Sequence, residues 1–175
     1  KLILIVGGNK MKITFQGGEV HLEGAALTEG AKAPNFSGAK TDLSAWSLSD
    51  AGSTVKIISS VPSLDTPVCD IQTKRFNKEA ANLDGVTVVT VSLDLPFAQA
   101  RWCAAANANS HIVLSDYAER DFGKKYGTLI QELKLLTRAV FVLDKDNVVR
   151  YVQYVPEITN EPDYEAALKA AKALL

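Results

Sequence analysis

Two β-branched apolar runs of strand length, Thr54-Val-Lys-Ile-Ile-Ser59 and Val86-Thr-Val-Val-Thr-Val-Ser92, flank a segment long enough for a helix, and no other feature constrains the chain as much. The segment opens at Thr66-Pro67, a good capping residue followed by a proline suited to the first helical position, and stops at Gly85. A helix is expected over 67–83 with Val68, Ile71, Phe76, Ala80 and Leu83 inward. Strand, helix and strand in that order make a right-handed crossover between parallel strands. A second helix is expected over Pro96–Ala106, a short strand at Ile112–Leu114, and a short helix over 117–126 that Gly127 ends. Arg138–Leu143 and Val148–Val155 pair through Asp144-Lys-Asp-Asn147 as a hairpin, and a last helix runs from about Pro162 to Leu174. Near the start, Ile13–Leu22 alternates around Gly17-Gly18, which predicts a β-hairpin decorating the edge of the domain. Residues 29–40 read as extended and irregular, and 42–48 as a short strand. The expected architecture is α/β, with a mixed central sheet and an N-terminal β-hairpin.

At 175 residues and 47% hydrophobic, the chain can bury one core, and a single domain is assigned to residues 11–175. Met11 is the sole methionine, and residues 1–10 read as an upstream extension or an expression leader. A formal net charge of −1 with no basic run argues against nucleic acid or an anionic membrane as partner. No apolar run approaches the roughly 18 residues of a membrane span, and Leu2–Val6 is too short for the core of a signal peptide. A soluble, cytoplasmic protein is expected.

Cys69 and Cys103 are too few for a disulfide scaffold and are not spaced as Cys-x-x-Cys. Neither His21 nor His111 stands at a short zinc-ligand spacing from either cysteine, and no metal or cofactor is expected. Cys69 instead falls at the third helical position after Thr66-Pro67. Its sulfur would lie among unpaired N–H groups at the positive end of the helix dipole, a setting that favours thiolate over thiol.

Pro62-x-x-x-Thr66-x-x-Cys69 resembles the active-site motif of peroxiredoxins. Three blocks in order, Pro62-Ser-Leu-Asp-Thr-Pro-Val-Cys69, Leu95-Pro-Phe-Ala-Gln-Ala-Arg-Trp-Cys103 and Pro156–Leu168, are similar to the bacterial thiol peroxidase branch of that family, an atypical two-cysteine group. The likeness spans residues 11–175. It implies a thioredoxin-like fold, reduction of hydrogen peroxide and organic hydroperoxides without metal or haem, recycling by thioredoxin, and a homodimer. Carried over by position, Cys69 is the peroxidatic cysteine, Cys103 the resolving cysteine of the same chain, Thr66 and Pro62 the flanking motif residues, and Arg138 the active-site arginine. The resemblance thus implies a sulfenic acid at Cys69 and a Cys69–Cys103 disulfide, for which helical structure around the cysteines must open. Ala104–Asn107 departs from the glycine and acidic residues of the branch. Two rival readings are a thiol-disulfide oxidoreductase, which the missing Cys-x-x-Cys disfavours, and a redox switch without turnover.

Overall fold

The computed structural model describes residues 4–6, 9–80, 83–108 and 112–175, and side chains from residue 12 onward. Two small hairpins lead in, β1 (Leu4–Val6) with β2 (Asn9–Met11) and β3 (Ile13–Phe15) with β4 (Gly18–Val20). The second turns at Gln16-Gly17, with φ of 51° and 80°, one residue earlier than the glycine pair suggested. Two positive φ values suit a two-residue loop whose twist matches the strands.

The chain then passes through β5 (Leu22–Glu23), β6 (Ser37–Ala39) and β7 (Ala45–Ser47) to β8 (Val55–Ser60) and α1 (Pro67–Ala80). β9 (Val86–Ser92), α2 (Pro96–Ala106), β10 (Ile112–Ser115) and α3 (Asp121–Lys125) follow. β11 (Leu129–Ile130), β12 (Ala139–Leu143), β13 (Val149–Tyr154) and α4 (Tyr164–Lys172) complete it.

The central sheet has seven strands in the order β13-β12-β8-β9-β10-β6-β7. β8, β9 and β10 are parallel, as the crossover argument requires, and the strands outside them run antiparallel. The sheet is therefore mixed, as expected. Side chains alternate between its faces with the period of two that a pleated strand imposes. Ile58, Val89, Phe141 and Leu143 point into a core shared with Phe36, Phe122 and Tyr126, whereas Val55, Ile57, Val140 and Val142 meet Phe76 of α1 and Ala167 and Leu168 of α4. A third, smaller cluster joins Val61, Leu64, Cys69, Trp102, Ala108 and Val113.

Three expectations change. Of the residues placed inward on α1, Phe76 and Ala80 are buried, but Ile71 is 49% exposed and the inward positions are Cys69, Gln72, Thr73, Phe76 and Ala80. The apolar count misread this face because two of its members are polar. The short helix expected over 117–126 is confined to Asp121–Lys125, where the carboxylate of Asp116 takes the N–H groups of Phe122 and Gly123 at 3.0 and 2.8 Å. Residues 29–40, expected to be irregular, supply β6. The expected end of the first helix at Leu83 meets residues 81–82, which lie outside the described residues, as does His111. Among the described residues no helix is long and apolar enough to cross a membrane.

Candidate active site

β8 ends at Ser60, and Val61–Thr66 carries the chain over the carboxyl ends of the parallel strands, the usual place for a site in such sheets. Asp94, between β9 and α2, fixes this loop by accepting from the Ser63 hydroxyl at 2.7 Å and the Leu64 N–H at 2.8 Å. The Thr66 carbonyl then accepts from Asp70 N–H at 3.0 Å, which starts α1. The Thr66 hydroxyl donates back to the Ser63 carbonyl at 2.9 Å. That bond uses its one proton and leaves its lone pairs free to accept.

Cys69 is fully buried. Arg138, immediately before β12 and 2% exposed, donates from Nη2 to its sulfur at 3.4 Å. The guanidinium is held by two more bonds, Nε to the Ile158 carbonyl at 2.8 Å and Nη1 to Gln72 Oε1 at 2.7 Å. Gln72 is aimed in turn by its own Nε2, which donates to Ser59 Oγ at 2.7 Å. Both of the other acceptors are uncharged. A buried cation is costly unless paired, so the Cys69 sulfur is the acceptor among these three that can bring a compensating charge.

A cavity of about 280 Å³ opens beside Arg138, and Cys69 itself is not among the residues that line it. Pro62, Thr66 and Arg138 line it, with Phe15 and Gln16 of the N-terminal hairpin and Ile158 and Thr159 beside that hairpin. The hairpin is thus a wall of the site rather than an ornament at the edge. It is fastened by Glu157, whose carboxylate accepts from Thr14 Oγ1 at 2.5 Å, from Gln16 and Gly17 N–H, and from Thr159. The Thr14 bond leads in pulling the Glu157 carboxyl down to about 2.

Cys103 stands apart from that cavity, in α2. It is half-buried and packs on the small cluster that contains Cys69. Burial raises its thiol above the ordinary value. Both cysteines are free thiols, so the implied disulfide is not formed in this structure. The helix closes at Asn107, which adopts φ 51°, ψ 37° and donates its N–H to the Cys103 carbonyl. Asparagine there supplies the left-handed cap that glycine most often gives. α2 is also tied to α1, with Trp102 Nε1 donating to Asp70 Oδ1 at 2.9 Å.

Of the five residues singled out from sequence, the structure brings Pro62, Thr66, Cys69 and Arg138 together and leaves Cys103 on the neighbouring helix. Sequence reasoning missed Gln72, Ser59 and Glu157. Gln72 had a signal: it sits three residues after Cys69, so both lie on one helix face.

Residues 28–168 match the Redoxin family model. A thiol peroxidase of Halalkalibacterium halodurans is 56% identical over 163 residues, covering 93% of this chain and 98% of that one. One from Bacillus subtilis is 51% identical over 164 residues, 94% and 98% respectively. Among solved structures, a peroxiredoxin-like protein from Aquifex aeolicus superposes with a TM-score of 0.89 at 43% identity, covering 94% and 98%. A chain in which a buried cysteine meets the arginine of such a cavity, and which keeps half or more of its residues in common with these thiol peroxidases over most of its length, belongs to the redoxin family in its thiol peroxidase branch and is a peroxidase.

Proposed function

We propose that the protein is a thiol-specific peroxidase that reduces hydrogen peroxide and organic hydroperoxides through a Cys69 sulfenic acid and an intrachain Cys69–Cys103 disulfide recycled by thioredoxin. The Cys69 thiolate takes the hydroxyl-bearing oxygen of the peroxide, the O–O bond breaks, and the other oxygen leaves as alkoxide or hydroxide and takes a proton from water. The Cys103 sulfur then attacks the Cys69 sulfur, and the sulfenic hydroxyl departs as water with the thiol's proton.

The observation that carries this reading is the Arg138 Nη2 contact to the Cys69 sulfur at 3.4 Å. A guanidinium keeps its protons, so Arg138 acts through fixed N–H donors on the thiolate and on the oxygens as charge grows there. The Thr66 hydroxyl, its proton committed to Ser63, accepts the peroxide O–H and turns the reacting oxygen toward sulfur. Pro62, buried in the cavity wall, keeps water from that approach. Family likeness is the support for thioredoxin as reductant and for a homodimer.

The test is one equivalent of alkyl hydroperoxide added to the reduced protein, followed by alkylation and non-reducing peptide mapping. The reading expects a Cys69–Cys103 linked peptide in the parent, an oxidised Cys69 without the link in Cys103→Ser, and unreacted thiol in Cys69→Ser. Oxidation that begins at Cys103, or persists in Cys69→Ser, overturns it.

A further inference from the structure

The helices that carry the two cysteines are bonded to each other right beside both of them. Asp70 follows Cys69 and Trp102 precedes Cys103, and the indole N–H of Trp102 donates to Asp70 Oδ1 at 2.9 Å. The other Asp70 oxygen accepts from Lys74 at 2.9 Å, one turn along α1. The indole is 8% exposed and belongs to the cluster that includes Cys69 and supports Cys103.

We propose that the Asp70–Trp102 bond is a latch on the resolving step, which makes this pair positioning residues of the reaction; the proposal rests on the role given to Cys103 above. A disulfide needs the two α-carbons within about 7 Å. Each cysteine is held inside a helix, and Cys69 has no exposed surface, so the sulfurs meet only when a turn of α1 or α2 opens. Opening either turn moves a residue adjacent to a cysteine. It pulls Trp102 off Asp70 and withdraws the indole from its apolar seat. Neither side chain lines the cavity, and the donor to the Cys69 sulfur is Arg138, which the latch does not hold. The latch thus opposes resolution while the donor and the cavity stay in place for the first chemical step.

It therefore sets how long the sulfenic acid persists, and with it the choice between two fates. In one, Cys103 displaces the hydroxyl, giving the disulfide and water. In the other, a second hydroperoxide oxidises the sulfenic sulfur by two electrons, giving sulfinic acid and an alcohol or, from hydrogen peroxide, water. A firmer latch gives more of the second product and self-inactivation at a lower peroxide dose.

Trp102→Phe removes the indole N–H, keeps an aromatic ring in the cluster and changes no charge near Cys69. Rapid quench with mass analysis reads each step. Sulfenic acid formation should stay within about twofold of the parent, whereas disulfide formation should quicken about tenfold, the scale of one hydrogen bond to a charged group. The peroxide dose that inactivates half the enzyme during turnover should rise in the same proportion. A purely structural Trp102 would lower the melting temperature yet leave the ratio of sulfinic acid to disulfide unchanged, and that result overturns the latch. Should Trp102→Phe not fold, the same ratio is read in Asp70→Ala, which removes the acceptor of the indole N–H; there it must fall, and an unchanged ratio again overturns the latch. A parent that never forms the intrachain disulfide defeats the role of Cys103 instead, so the two failures are distinguishable.

Discussion

Arg138 is held by acceptors from three parts of the chain: the Ile158 carbonyl, Gln72 on α1 and the Cys69 sulfur. Lysine carries the same charge but lacks the planar fork that spans these directions. Arg138→Lys should leave the fold intact by circular dichroism and lower kcat/KM for peroxide about a hundredfold, the scale of losing one aimed donor. A variant within a few-fold of the parent would show that charge alone suffices. At Cys103, burial disfavours the thiolate. In Cys69→Ser, alkylation of Cys103 should reach half its maximal rate at a higher pH in the native protein than in the urea-unfolded chain, and coincident profiles would contradict this.

At the scale of elements, α1 shows why the site was only partly legible. Its start could be read from Thr66-Pro67, and its Cys69 from the motif. The inward face could not be read from apolar spacing, because Gln72 and Thr73 stand on it and Ile71 is outside. Gln72 is buried because Arg138 and Ser59 satisfy its carboxamide, a tertiary arrangement that spacing does not encode. The corrected face is measurable: Ile71→Lys should change stability by no more than about 0.5 kcal/mol. Phe76→Ala, which empties a buried seat against Tyr164, should cost about 3–5 kcal/mol in urea unfolding.

The N-terminal hairpin makes a second prediction at this scale. Glu157, which fastens it, has a carboxyl lowered from 4.5 to about 2. A carboxyl lower in the folded chain than in the unfolded one gives stability that is fully present above about pH 4.5 and is lost as pH falls toward 2. Glu157→Gln should therefore melt below the parent at neutral pH, and the gap should close toward pH 2. A gap constant with pH would mean that the charge of Glu157 does not hold the hairpin.

For the whole molecule, the parallel core of the sheet followed from β-branched runs separated by a helix, because that order has one favoured handedness. The flanking strands β6 and β7 and the pair β5–β11 were harder to read: they are short, and their partners are distant in sequence. The position of the hairpin was missed for a similar reason, since Thr14 meets Glu157 across 143 positions and no local pattern announces it. What converges at the carboxyl ends of the strands is a loop pinned by Asp94, the start of α1, the residue before β12 and that hairpin. The fold gathers them around one sulfur.

The most direct test of that account is steady-state peroxide consumption with thioredoxin, its reductase and NADPH, run on the parent, Cys69→Ser and Cys103→Ser. Turnover should vanish in Cys69→Ser, and Cys103→Ser should lose only its thioredoxin-driven recycling while still consuming one peroxide per chain. A fully reduced parent that fails to turn over hydrogen peroxide or alkyl hydroperoxides, or a Cys69→Ser variant that continues to do so, would contradict it.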